Sequence, residues 1–244
     1  MSMTVSVIVP WRSDHAERDA AWAWVRARWA ERFPGWQVVT GTPPDGEWCK
    51  AAAITAALPE ATGDVIVLAD ADVWCDGVLQ AVTAVAEGAR WAIPHHRVQR
   101  LTQESTRAVL DGAPLGFTCR LAQRAYPGFA GGGMTVLPRA TYERIPLDAR
   151  FAGWGQEDEA WAIALTCLTG APWRGTVPLW HLWHPPQPRL SRRWGSETSR
   201  SLWQRYHHAR HDAHAMQALL TETMEEVPRG GPRHTGRPRS PARP

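Results

Sequence analysis

Cysteine is scarce: the 244 residues contain four, Cys49, Cys75, Cys119 and Cys167, with no C-x-x-C pair among them. That spacing argues against a zinc knuckle and a disulfide scaffold, and leaves buried thiols as the default. Long apolar runs are missing too, so no segment spans a bilayer. The N-terminal MSMTVSVIVPW passes straight into a short strand pattern, without the charged region, apolar core and cleavage site of a leader. A cytoplasmic protein is the expectation.

Acidic residues are absent from Pro228 to Pro244, where Arg229, Arg233, Arg237, Arg239 and Arg243 carry five positive charges. Subtracting them from the formal +3 leaves −2 (+3 − 5), so the basic balance belongs to the tail and not to the body. A segment so rich in Pro, Gly and Arg has little to bury and is expected to be disordered. Contact with nucleic acid or an anionic membrane surface is the secondary reading of its charge, and a solvated terminus the primary one.

The N-terminal half alternates strand and helix patterns. Val5–Val9 reads as a strand, and Asp14–Arg32 as a helix that places Trp22, Val25, Trp29 and Phe33 on one face. Asp14, with Glu17 three residues on, reads as its N-cap. Gln37–Val39, Asp64–Leu68 and Trp91–Ile93 read as further strands, and Trp48–Leu58 and Val78–Glu87 as helices. Such β-α-β alternation predicts an α/β fold, a mostly parallel sheet with helices on both faces. The strand ends near Pro10–Arg12, Thr40–Gly41 and Asp70–Asp72 are expected to converge on one crevice.

Three constellations carry chemistry. In VIVLADADVW, a buried-strand run ends in Asp70 and Asp72, which fits either a strand-end turn or a divalent cation that carries a substrate diphosphate. Gly131, Gly132 and Gly133 precede a strand at Met134–Leu137, and there they are either a turn or a surface against which substrate lies. After a short helix at Arg139–Arg144, GWGQEDEAW puts Trp154 and Gly155 before a helix opened by Glu157, Asp158 and Glu159. The helix dipole accounts for acids at such a position. A carboxylate beside a tryptophan rim also suits proton abstraction from a sugar hydroxyl, with the indole as a stacking platform. In PLWHLWHPP, His181 and His184 are either hydrogen-bonded partly buried side chains or nitrogen donors that join Asp72 in a mixed set suited to manganese.

Taken in order, strand-D-x-D, Gly-Gly before a strand, W-G-x-E-D at a helix start and a late histidine resemble the inverting glycosyltransferases of the GT-A fold. The likeness is to β-galactosyltransferases and to the galactosaminyl-transferring domains of chondroitin-type polymerases. It covers about Thr4 to Pro186 and implies a Rossmann-like catalytic domain over 1–190. A C-terminal helical extension (191–227) and the tail (228–244) would follow. The resemblance implies that Asp72 binds Mn2+ or Mg2+ with His184, that Asp70 is an outer-shell or second ligand or touches the ribose, and that His181 is the lesser ligand candidate. It makes Asp158 the catalytic base and Glu157 the group that holds acceptor or sugar. Trp154 and Gly155 would line the acceptor site, with Gly132 and Gly133 against substrate. Pro10, Trp11, Arg12 and Lys50 would meet the nucleotide of a UDP-sugar donor. Gln156 stands where the family has glycine, and Ala53 where many members have asparagine. The acceptor could be a glycan, a lipid-linked glycan, a protein or a modified base.

Two other readings compete with a UDP-dependent hexosyltransferase. A sugar-phosphate nucleotidylyltransferase needs a Gly-rich basic loop after its first strand, where this chain has VPWRSDHAERD. A non-catalytic carbohydrate-binding module accounts for fifteen tryptophans, but not for the acidic, glycine and histidine segments together. Ser196–Glu226 reads as one C-terminal helix that packs Leu202, Tyr206, Leu219 and Leu220 on the body. His207, His211 and His214 on it are a minor metal candidate.

Overall fold

A computed structural model describes residues 3–128, 130–186, 190–191 and 193–226, with side chains to 222. The chain forms β1 (Val5–Pro10), α1 (Ala16–Arg32), β2 (Gln37–Gly41), α2 (Lys50–Ala57), β3 (Val65–Ala69), β4 (Val73–Trp74) and α3 (Val78–Ala86). It continues through β5 (Ala92–Arg100), α4 (Gln103–Leu110), β6 (Met134–Pro138), α5 (Arg139–Arg144), α6 (Glu157–Thr169), β7 (Trp173–His181), α7 (Glu197–Ala209) and α8 (Ala213–Glu226). The expected α/β class is what the chain adopts.

All seven strands join one sheet in the order β2-β1-β3-β6-β5-β7-β4. β1 lies parallel to β2 and β3, and β5 parallel to β7, while β6 is antiparallel to both of its neighbours and β4 antiparallel to β7. Five strands therefore share one direction and two oppose it. Strand alternation sends Val5, Val7 and Val9 to one face, beneath Trp22, Val25 and Trp29 of α1. Ile8, Ile66 and Leu68 face the other side, beneath α2, α6 and the C-terminal helices. Both faces are apolar and both are covered, the condition that such sheets require.

Several local expectations change. The short strand expected at Trp91–Ile93 runs nine residues as β5 and does not border β3, because the antiparallel β6 enters between them. β5 ends and β6 begins at the same end of the sheet, so after α4 the chain re-enters the sheet in the opposite direction. Asp14 is not the N-cap of α1: His15 occupies that position without a side-chain cap, and Asp14 pairs with Arg18 at 3.0 Å. The single helix expected over Ser196–Glu226 is two, broken at Arg210–Asp212, with Ser196 capping the first. His207, His211 and His214 therefore do not share one continuous helix, and His207 stacks on Trp203 at 4.9 Å. The Pro/Arg-rich 228–244 segment lies outside the described residues.

Leu202, Tyr206, Leu219 and Leu220 are buried in the same core as α6. A polar tie reinforces this attachment. Asp148, 3% exposed, accepts from the Arg150 guanidinium and from Tyr206 Oη at 2.9 Å, and Arg150 reaches on to Glu222 of α8 at 2.9 Å. Removing a buried hub of this kind strands its donors. Asp148→Ala is expected to lower unfolding stability by about 2–4 kcal/mol in urea titrations, a loss that breaking one exposed ion pair would not produce.

Candidate active site

The register of the sheet builds the site at one end. The carboxyl ends of β1, β2, β3, β5 and β7 lie there, so Pro10–Arg12, Gly41 and Asp70 share one edge, and the start of the antiparallel β6 adds the glycine run, which the strand pattern had not placed there. Asp70 N donates to Gly133 O at 2.9 Å, which extends the β3–β6 ladder into the D-x-D turn. Three residues later β4 pairs Val73 with His181, and Leu182 N donates to Asp72 O at 2.8 Å. That two-residue strand is what brings Asp72 beside the two histidines.

Asp72, His181 and His184 form the one group of three or more His, Cys, Asp or Glu residues among the described residues whose ligand atoms lie within 4.8 Å of one another. His184 Nε2 stands 3.1 Å from Asp72 Oδ2, and His181 Nε2 3.8 Å from Asp72 Oδ1. Each histidine turns its Nδ1 to a carbonyl at 2.7 Å, Leu182 for His181 and Pro185 for His184. A carbonyl only accepts, so Nδ1 of each ring is the donor; His184 Nε2 then faces Asp72, while His181 Nε2 accepts from Arg100 Nη1 at 2.9 Å. Metal-binding histidines are fixed in this way by a backbone carbonyl. Burial pushes the Asp72 carboxyl up, but His181, His184, Arg18 and Arg100 outweigh it and hold it below its ordinary value. Burial drives His181 down to about 4; Asp72 opposes the fall, and Arg100 and His184 deepen it. A carboxylate oxygen and two imidazole nitrogens within 4.8 Å of one another are a mixed donor set that fits a manganese-type cation.

A second cluster stands beside it. Lys50, the only lysine in the sequence, opens α2 and reaches Asp70 Oδ1 and Asp158 Oδ1, each at 2.8 Å. Its side chain is 11% exposed, and the two carboxylates are 33% and 24% exposed. Burial opposes its charge, but Asp158, Asp70 and Glu157 override this and hold the ammonium well above its ordinary range. Burial lifts the Asp158 carboxyl; Lys50 resists that rise, Asp70 and Glu159 add to it, and the net is upward. Burial, followed by Asp158, pushes Glu157 up to about 8 against the pull of Lys50, so this carboxyl is largely protonated at neutral pH.

The approach to α6 is anchored by backbone geometry. Gln156 sits at φ 72°, a left-handed conformation that disfavours every residue but glycine. Two bonds hold it there: Nε2 donates to Arg193 O at 2.5 Å, and Oε1 accepts from Gly195 N at 3.1 Å. Arg193 returns to Glu159 at 2.7 Å. The three acids thus divide, with Glu159 bound to the 193–195 segment, Asp158 to Lys50, and Glu157 beside them. Gly131 packs so closely that a Cβ would come within 2.5 Å of the Asp158 carbonyl, and one on Gly133 within 3.2 Å of Leu179. Trp154 is 37% exposed at the rim, flanked by Gly153 and Gly155 at positive φ.

The remaining sequence-predicted residues occupy the same edge without joining either cluster. Pro10 is buried, Trp11 packs on Trp22, and Arg12 donates to Gly46 O at 2.9 Å below the Trp48 ring. Ala53 is fully buried, with its carbonyl against Gly41. Spacing alone did not mark Arg100, Tyr126 or Arg193. Arg100 becomes visible only as the register partner of His181 across β5 and β7.

No family model matches the sequence, and neither does any curated protein. Among solved structures, Mycobacterium tuberculosis glucosyl-3-phosphoglycerate synthase is 16% identical, with 85% of this chain and 80% of that one covered at a TM-score of 0.46. Its complex with Mn2+, UDP-glucose and phosphoglyceric acid aligns at 17% identity, 85% and 79% coverage and a TM-score of 0.45. A mutant Drosophila β-1,4-galactosyltransferase 7 with manganese, UDP-Gal and xylobiose aligns at 11% identity, 80% and 68% coverage and a TM-score of 0.41. At these levels the likenesses assign no residue, donor or acceptor to this chain.

The raised Glu157 carboxyl has a consequence for stability. Between its ordinary value near 4.5 and about 8, the folded chain holds a proton that the unfolded chain has released. Stability therefore falls as pH rises through that window and is unaffected below it. Glu157→Gln removes the effect. Its melting temperature is expected to gain on the wild type progressively from pH 5 to pH 8, whereas a constant gap would contradict the assignment.

Proposed function

We propose that the chain is a metal-dependent inverting glycosyltransferase of the GT-A kind, which moves a hexose or N-acetylhexosamine from a UDP-sugar to an acceptor hydroxyl. The observation that carries this reading is the Asp72–His184–His181 centre, whose imidazoles are pre-set by carbonyls, two residues along the chain from Asp70, which Lys50 ties to the partly buried Asp158 carboxylate. The resemblance in the D-x-D, glycine, W-G-x-E-D and histidine segments supports it independently of the geometry.

In this reading Asp72 and His184 hold Mn2+, with Mg2+ as the alternative. When bound, the cation neutralises the charge of the departing diphosphate. Asp70, fixed by Lys50, faces the ribose or the outer shell of the site. Pro10, Trp11 and Arg12 flank the uracil, and Gly132 and Gly133 leave room for the donor. Trp154 and Gly155 edge the acceptor, whose sugar ring stacks on the indole. Asp158 takes the proton from the acceptor hydroxyl as that oxygen attacks the anomeric carbon opposite the nucleotide. Lys50 opposes the rise that burial causes at the Asp158 carboxyl. Glu157, protonated, donates a hydrogen bond to a sugar or acceptor oxygen. No covalent intermediate is needed.

Nothing in the structure favours the rivals. Trp22, Trp29, Trp74, Trp91, Trp161 and Trp180 are buried, so much of the tryptophan content serves the core instead of a binding platform. The only lysine is engaged by two carboxylates. Among the described residues no helix is long and apolar enough to cross a membrane.

Titrating UDP with and without Mn2+ tests the reading. UDP affinity is expected to rise with metal in the wild type and to lose that dependence in Asp72→Ala. Asp158→Asn should keep metal-linked UDP binding, while turnover with an accepted UDP-sugar falls about 100- to 10,000-fold. Metal-independent UDP binding, or near-normal turnover in Asp158→Asn, would refute it.

A further inference from the structure

Arg100 ends β5 opposite His181. Its Nη1 donates to His181 Nε2 at 2.9 Å, and its Nε donates to Tyr126 Oη at 2.9 Å. A guanidinium only donates, so the lone pair on His181 Nε2 is the one that Arg100 holds. His184 has the same carbonyl on its Nδ1, yet its Nε2 meets Asp72 Oδ2 at 3.1 Å and bonds no arginine among the described residues. The two imidazoles are prepared alike and engaged differently.

We propose that Arg100 is a positioning residue that withholds His181 from the cation. It leaves Asp72 and His184 as the protein ligands, and its fixed positive charge makes firm metal binding depend on the donor diphosphate. This rests on the metal-dependent reading above. A third protein donor would tighten the bare ion, whereas a guanidinium beside the site repels it. A diphosphate in the same space is attracted by both charges, and the planar fork of arginine suits phosphate oxygens. Tyr126 keeps the guanidinium aimed at His181. Arg100 thereby turns a three-donor cluster into a two-donor site that is completed by the nucleotide.

Electron paramagnetic resonance of free Mn2+ measures this without turnover, in the full-length protein with and without UDP. Arg100→Gln is expected to bind Mn2+ alone about tenfold more tightly than the wild type, within the range that partners of metal ligands govern. It should also show a several-fold smaller gain on adding UDP. Combining Arg100→Gln with His181→Ala should cancel the part of the gain that comes from the freed imidazole and leave only the smaller part that comes from the lost positive charge. Tyr126→Phe, a milder change that only loosens the guanidinium, should shift affinity in the same direction by a smaller factor. If the wild type binds Mn2+ while Arg100→Gln and Tyr126→Phe bind it equally or more weakly, the role of Arg100 is wrong and the metal site stands. If the wild type binds no Mn2+ with or without UDP, both fail.

Discussion

One ammonium group joins the two halves of this site. Lys50 at the start of α2 bonds Asp70, at the end of β3, and Asp158, in the first turn of α6, at equal distances. Those carboxylates are 88 residues apart in sequence (158 − 70) and belong to different layers, and each raises the other's energy where water is scarce. Without a cation between them the D-x-D turn and the acidic helix start would repel. Lys50 thus does for the D-x-D turn and the α6 start what a two-residue strand, β4, does for Asp72 and the histidines.

From that link the rest of the site follows by short steps. Asp70 continues the β3–β6 ladder through Gly133, and the turn that it begins delivers Asp72 into the β4–β7 pair, where His181 and His184 wait with their Nδ1 protons already committed. On the other side, the left-handed Gln156 sets the direction of α6, and its two side-chain bonds tie that strained residue to the 193–195 segment. Glu159 and Arg193 close the same loop. The site is therefore held by backbone register at the Asp72–histidine end and by side-chain ion pairs at the Lys50–Asp158 end.

Much of the architecture was legible because it depends on local pattern. The valine-rich run before Asp70, the apolar spacing of Trp22, Val25 and Trp29, and the helix start at Glu157 all stand where periodicity put them. What could not be read was set by long-range pairing. The antiparallel entry of β6 between β3 and β5 leaves no mark in either strand's own residues. The break at Arg210–Asp212 carries no Pro or Gly to announce it. Asp70 and Asp72 were visible as a pair, but their separate partners, Lys50 for one and the histidines for the other, depend on which element ends beside which. Arg100 was invisible for the same reason, since only strand register sets it against His181.

A double-mutant cycle on Lys50 and Asp158, followed by urea unfolding, tests the central link most directly. Lys50→Met leaves two partly buried carboxylates without a counter-charge, and adding Asp158→Asn removes one of them. The two changes should therefore be strongly non-additive, with a coupling of about 1–3 kcal/mol and the double variant more stable than Lys50→Met alone. Additive effects within about 0.5 kcal/mol would contradict the account, because residues that do not interact are the ones whose changes sum.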